Sequence, residues 1–190
     1  MEMIENMEEL RQKVLSCTRC GLCQGRTNAV FGVGNPNAKV LFIGEGPGEQ
    51  EDLKGEPFVG RSGQLLDKML AYVNLSRTDN IFIANMVKCR PPQNRDPSKD
   101  EVALCMEYLR NQVYLIRPKI IVCVGRIAAT AIISPDYKVT KEHGTFVERG
   151  DTLLMGTFHP AALLRNPNQK PAAMEDLLGL QAKMGELGLF

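Results

Sequence analysis

A chain of 190 residues that is 44% hydrophobic and 24% charged has the composition of an ordinary globular domain, long enough to bury a core without staples. A formal net charge of +1 excludes the strongly basic class of nucleic-acid binders; because the first ten residues hold four glutamates and no Lys or Arg, +5 remains for the rest, enough for one local basic face. No apolar run approaches the roughly 18 residues of a membrane span, and the acidic start MEMIENMEEL has no signal-peptide core, so a soluble cytoplasmic protein with no membrane partner is expected.

Ile4, Met7, Leu10 or Arg11, and Val14 recur near helical spacing and predict a short amphipathic helix over 4–15. It runs into CTRCGLC, a turn-rich segment that presents Cys17, Cys20 and Cys23 together. Residues 26–36 read as a loop. Val40, Leu41, Phe42 and Ile43 then form the continuous apolar run of a strand buried on both faces. It breaks into GEGPGEQED at 44–52, where three glycines around one proline force a turn at the strand's carboxyl end. In an open α/β sheet that end is where ligands bind. The interleaved Glu45, Glu49, Glu51 and Asp52 are acids that a phosphate cradle would avoid.

Leu65, Leu66, Met69, Leu70 and Val73 lie on one helical face, and Ile81–Asn85 reads as a second strand leading into a proline-rich loop through Pro97. SKDE at 98–101 has capping-box form and opens a helix with Val102, Cys105, Leu109, Val113 and Ile116 inward. Ile120–Val124 is a third buried strand, followed by a helix over 126–133. Residues 134–152 form a polar excursion or weak hairpin. A fourth strand over 153–158 leads to HPAALLRNP at 159–167, and a last helix covers about 172–186. This alternation predicts an α/β fold, a three-layer α/β/α sandwich with a central four-stranded parallel sheet, as a single domain over 1–190. The loops 44–52, 85–97 and 159–167 then meet at one rim.

Six cysteines in such a chain point to metal ligands or core positions rather than disulfides. Cys17 and Cys20 have the C-x2-C spacing that brings two thiolates to one metal centre, and Cys89 and Cys105 can complete four ligands. Because 89 and 105 are not a close pair, an iron–sulfur cluster is favoured over a zinc ribbon. Cys23 extends the series and competes with Cys20; Cys105 and Cys123 also suit a core, Cys123 above all because it lies inside a buried strand. At the rim, the Asn85 amide offers one donor and one acceptor, which suits the edge of a nucleobase or the cap of a turn. Phe58 suits stacking on a base or a place in a minor core, and His159 is held in a fixed turn between a strand and a proline. His143 attracts no functional assignment.

Taken together, GEGPGEQED at 44–52, PFVGRSGQLL at 57–66, NMVKCRPPQNRDP at 85–97 and HPAALLRNP at 159–167, with Cys17 and Cys20, resemble the family-four uracil-DNA glycosylases, the bacterial and archaeal type with a [4Fe–4S] cluster. The likeness runs in order from about residue 10 to 180. It implies a uracil-DNA glycosylase-like fold and a structural [4Fe–4S] cluster on Cys17, Cys20, Cys89 and Cys105, with Cys23 and Cys123 free. It also implies an enzyme of base excision repair that hydrolyses the N-glycosidic bond of deoxyuridine in single- and double-stranded DNA. In that reading His159 donates to uracil O2, Glu45 positions or activates water, and Asn85 reads the N3–H and O4 edge. Phe58 stacks on the flipped ring, backbone at Gly44 and Gly46 approaches the base, and Glu51 helps exclude the thymine methyl. Leu163, Leu164 and Arg165 resemble a minor-groove wedge, with Lys88, Arg90, Arg95 and Arg165 as phosphate contacts. A monomer is the expected state, and a sliding clamp is a candidate protein partner. The related family that bonds covalently to DNA carries a histidine-containing loop after the asparagine strand; here that region, VKCRPPQNRDPSKDEV, has none. A non-catalytic iron–sulfur DNA-binding or polymerase-associated module is the alternative, opposed by the joint presence of Glu45, Asn85 and His159.

Overall fold

A computed structural model describes residues 4–190; residues 1–3 of the expected 1–190 domain lie outside the described residues. Helix α1 (Met7–Leu15) begins later than the apolar spacing suggests, because the Asn6 side chain caps it by accepting the Glu9 amide at 2.8 Å. Ile4 is buried ahead of the helix, its amide donating to Asn111 Oδ1 at 3.0 Å. A single turn, α2 (Leu22–Gly25), carries Cys23. Next come β1 (Val33–Gly34), β2 (Val40–Gly44), α3 (Glu49–Lys54), α4 (Arg61–Tyr72) and β3 (Ile81–Asn85).

Helix α5 (Lys99–Ile116) starts at the expected capping box: Ser98 accepts the Glu101 amide while the Glu101 carboxylate accepts the Ser98 amide. It is followed by β4 (Ile120–Val124), α6 (Arg126–Ile132), α7 (Val139–Glu142), β5 (Phe146–Arg149), β6 (Thr152–Thr157), α8 (Pro160–Arg165) and α9 (Lys170–Glu186).

The sheet order is β1-β3-β2-β4-β6-β5. Its four inner strands are the four expected ones, and they are parallel. The expectation of a four-stranded sheet is corrected to six strands, because β1 and β5 add antiparallel edges. Neither edge has an apolar run: β1 is two half-buried residues and half of β5 is exposed, so edge strands of this kind carry little signal in a sequence.

Alternate residues of the inner strands face opposite layers. Leu41, Ile43, Phe82, Ala84, Ile121 and Cys123 pack with α1, α5 and α6, whereas Val40, Phe42, Ile81, Ile83, Ile120, Val122 and Met155 pack with α4 and α9. Burying both faces of β2, β3 and β4 is what demands helices on each side, and it fixes the register. Gly44 pairs with Asn85 and Val124 with Thr157, so all four parallel strands end at one level. After β2 the chain crosses to one side and after β4 to the other, which makes the β2/β4 boundary the topological switch point where α/β sheets bind ligands.

A buried polar chain ties the last helix to this rim. Thr157 Oγ1 donates to Asp176 Oδ2 at 2.6 Å, Asp176 Oδ1 lies 2.7 Å from His143 Nδ1, and the His143 ring packs on Phe158 with centroids 4.6 Å apart. Burial lifts the Asp176 carboxyl above its usual range, against hydrogen bonds from Thr157 and His143 that lower it. Replacing Asp176 by Ala leaves the buried Thr157 and the half-buried His143 without their partner and should cost about 2 kcal/mol, a fall of roughly 4–8 °C in the thermal melting midpoint. An unchanged midpoint would contradict the assignment.

Candidate active site

The carboxyl ends of the inner strands open into a cavity of about 610 Å³, lined from the three expected loops by Glu45, Gly46, Glu51, Asn85, His159 and Arg165, and by Phe58 from the segment between α3 and α4. Gly44 sets its floor. A Cβ there would stand 2.5 Å from Asn85 Oδ1 and 2.6 Å from the Phe58 ring, so only glycine lets these two side chains close over the end of β2. Asn85 is 2% exposed, and its Oδ1 has no hydrogen-bond partner in the protein. A buried carbonyl without a donor is costly and uncommon, and at the wall of a cavity it is an acceptor for a ligand N–H.

Phe58 holds a left-handed backbone conformation, φ +52°, unusual for a bulky residue. The surroundings over-determine it: Arg77 donates to the Pro57 carbonyl at 2.5 Å and to the Phe58 carbonyl at 2.7 Å, and Gly63 leaves room for that carbonyl. The Phe58 and His159 rings lie 5.7 Å apart and are tilted to each other by 32°. Glu51 is drawn inward, Oε1 accepting the amides of Val59 (2.9 Å) and Gly60 (2.8 Å), so it braces the Phe58 turn as well as lining the cavity. Asp52 is structural, accepting the amides of Thr27 and Asn28 from the segment after α2.

His159 caps α8, its Nδ1 accepting the Ala161 amide at 3.1 Å. The neutral ring therefore carries its proton on Nε2. Burial, helped by the positive charge of Arg165 and opposed by Glu51, holds its pKa down to about 4. Gly125, at φ +91°, passes so close that a Cβ would sit 2.9 Å from His159 Cβ. The half-buried Glu45 behaves oppositely: burial, the neighbouring Asp96 carboxylate and a hydrogen bond with it raise its pKa to about 7, against Arg126, which lowers it.

Among the residues expected to face DNA, two do not. Lys88 is 1% exposed and spends its ammonium on the Asn85 carbonyl and Gln112 Oε1, each at 2.7 Å, so it is an internal strut and not a phosphate contact. Leu163 is 1% exposed on the inner face of α8; Leu164 beside it is 37% exposed and is the wedge candidate the geometry leaves. Arg165 is exposed at the cavity mouth. Arg90 donates to Asn94 Oδ1 at 2.8 Å, and Arg95 clasps both Glu101 oxygens. The residues that the sequence reading missed are Gly125, Arg126 and, as a site group, Asp96, all on the cavity wall.

The cysteines gather elsewhere. Cys17, Cys20, Cys23, Cys89 and Cys105 line one small cavity between α1, α2 and α5, and Cys123 is buried in β4. Arg26 Nη1 lies 3.1 Å from Cys89 Sγ and the Lys88 amide 3.3 Å from Cys105 Sγ, donors that suit thiolates. Among the described residues no three His, Cys, Asp or Glu side chains converge on a single metal ion.

Residues 31–178 match the uracil DNA glycosylase superfamily. The chain is 43% identical to a type-4 uracil-DNA glycosylase of Sulfurisphaera tokodaii over 91% of its own length and 82% of the relative's. Identity is also 43% to a type-4 uracil-DNA glycosylase of Archaeoglobus fulgidus, over 97% and 94% of the two chains, and to one of Thermotoga maritima, over 85% of each. For the imidazole at the cavity wall, ring nitrogen-15 NMR should report a neutral His159 with its proton on Nε2 throughout about pH 5 to 8; a midpoint near the ordinary value of about 6.5 would contradict this geometry.

Proposed function

The chain belongs to the uracil-DNA glycosylase superfamily and is a DNA glycosylase that removes uracil; on that premise we propose that it hydrolyses the N-glycosidic bond of deoxyuridine in single- and double-stranded DNA, using Asn85, Phe58, His159 and Glu45, and leaves an abasic site. The observation that carries the assignment of residues is the partnerless Asn85 Oδ1, buried beside Phe58 and His159. Uracil presents N3–H as a donor and O4 as an acceptor; the Asn85 amide complements both, and cytosine presents the reverse pattern. A held amide therefore rejects cytosine by leaving polar groups unpaired, which costs more than a missing contact.

Bond cleavage sends electrons into the base, and the charge appears on N1 and O2. A donor already aimed at O2 stabilises that charge without reorganisation and acts only as the bond breaks. His159 suits this as a neutral ring with its proton on Nε2, and the backbone near Gly46 lines the same cavity. The Phe58 ring offers a stacking surface for the extruded base. The sugar, which develops positive character, is captured by water. Glu45 is the carboxylate on the wall that can orient that water and take its proton once ionised, a condition met from about pH 7 upward. The exposed Leu164 suits filling the vacated stack, and Arg165, next to it on the cavity lining, suits holding a phosphate.

Cys17, Cys20, Cys89 and Cys105 fit a [4Fe–4S] cluster. In such a cluster each thiolate meets a different iron, and these four line one small cavity together with Cys23. The cluster would supply a cross-tie between the segment after α1 and the loop that follows Asn85. A monomer at the prokaryotic nucleoid, with a sliding clamp as protein partner, completes the proposal.

Three measurements test it. Under single-turnover conditions on a uracil-containing oligonucleotide, His159→Ala should lose about 100- to 1,000-fold in rate, and Asn85→Ala at least about tenfold; native rates in both would overturn the assigned roles. Purified protein should be brown with broad absorption at about 400 nm, lost in Cys105→Ser and kept in Cys23→Ser. Colourless protein with one bound zinc would overturn the cluster.

A further inference from the structure

A buried lysine stands between the cysteine cavity and the base cavity. Lys88 follows Met86 and Val87, which sit in the core, and it is buried as deeply as they are. Burying an amine is costly unless its hydrogen bonds are met, and a methionine of similar length would fill the space without that cost. The bonds are met. Lys88 Nζ donates to the Asn85 carbonyl and to Gln112 Oε1, each at 2.7 Å. Gln112, fully buried on α5, donates in turn from Nε2 to the Phe31 carbonyl at 2.8 Å.

These donors stand where a strand stops. β1 pairs only with Phe82 and Ile83, so the Phe31 and Asn85 carbonyls lie past the ends of that ladder, and side chains satisfy them instead. On the β2 side the ladder continues, the Met86 amide donating to the Gly44 carbonyl at 2.9 Å. The peptide unit leaving Asn85 is therefore held at its carbonyl and at its amide. With that unit fixed, the Asn85 Cα–Cβ bond has a fixed direction, and the crowding over Gly44 limits how the amide beyond it can turn. One residue thus has its backbone carbonyl bound by a buried donor and its side-chain carbonyl left open to the cavity. A satisfied buried network of this kind rigidifies what it holds.

We propose that Lys88 is a positioning residue for base recognition, fixing the Asn85 backbone so that the Asn85 amide meets the base in one orientation. The inference rests on the reading of Asn85 as the group that binds the uracil edge, and it adds what holds that group in place. Lys88 lines the cysteine cavity and not the base cavity, so it acts through Asn85. Its own backbone faces the cysteines, the amide 3.3 Å from Cys105 Sγ and the carbonyl accepting the Val30 amide at 2.7 Å. A strut for the cysteine loop alone is therefore the rival role.

The test is a double-mutant cycle between Lys88→Met and Asn85→Ala in holoenzyme. It is read by the single-turnover rate on a single-stranded uracil oligonucleotide and by inhibition with free uracil. Methionine keeps the apolar stem and removes the donor. Lys88→Met should slow excision by about tenfold or more and weaken inhibition by uracil, and each effect should shrink to less than about twofold when residue 85 is already Ala. Free uracil carries no backbone or second strand, so damage confined to the DNA-binding face would spare its inhibition. A lysine that only supports the cysteine loop would lower the rate by the same factor in both backgrounds. That additivity overturns the inference, as does a native rate in Lys88→Met. Native rate and native uracil inhibition in Asn85→Ala would instead overturn the reading of Asn85, and the inference with it. The brown colour of the cluster is followed in each variant. Should Lys88→Met lose the cluster or the fold, Gln112→Leu removes the acceptor that holds Nζ and enters the same cycle, where coupling to Asn85→Ala supports the inference and additivity overturns it.

Discussion

The approach of Gly44 to Asn85 and Phe58 is the constraint on which the site depends. The ladder between β2 and β3 places Gly44 opposite Asn85 and then continues, the Met86 amide donating to the Gly44 carbonyl and Val87 to Glu45. Because Gly44 has no side chain, an amide from one strand and a ring from the next loop can pack over the same spot. The polar end of Asn85 is left at the cavity with its acceptor unspent. Such a group is tolerated because the surrounding strands are buried on both faces and cannot relax around it.

The same enclosure divides the labour between the two titrating groups. Desolvation disfavours charge on either, so it drives His159 toward the neutral donor and Glu45 toward the neutral acid. For His159 that outcome is directly useful, since a neutral donor meets charge that forms late. For Glu45 it works against the proposed chemistry, since burial, the largest cause of its raised pKa, favours the neutral acid. One physical effect thus lowers the pKa of one group and raises that of the other on the wall of one cavity, the separation from which the proposed donor and base roles are read.

The inner strands were legible because each is a continuous apolar run that neither a helix surface nor a loop would carry, and the rim followed from their order. The edge strands were not, since Val33–Gly34 and Phe146–Arg149 have no pattern that distinguishes them from loop. The C-x2-C pair stood out by spacing, whereas Asn85 and His159, each equally suited to a structural place, took their roles from the resemblance carried by the four motifs together. Lys88 and Leu163 misled for one reason: a lysine in a basic loop and a leucine in an exposed-looking turn say nothing about which way they point, and both point inward. Asp96 and Arg126 were hidden differently. They are common charged residues separated by a strand and a helix, and only the left-handed turn at Gln93 and Asn94 brings the first to the second.

The central claim is that the Asn85 carbonyl recognises the N3–H of uracil. Product inhibition by free uracil and by 3-methyluracil tests it with no change to the protein, because the methyl group removes that one donor. The account predicts that 3-methyluracil inhibits at least roughly 10- to 100-fold more weakly than uracil. Equal inhibition by the two would contradict it.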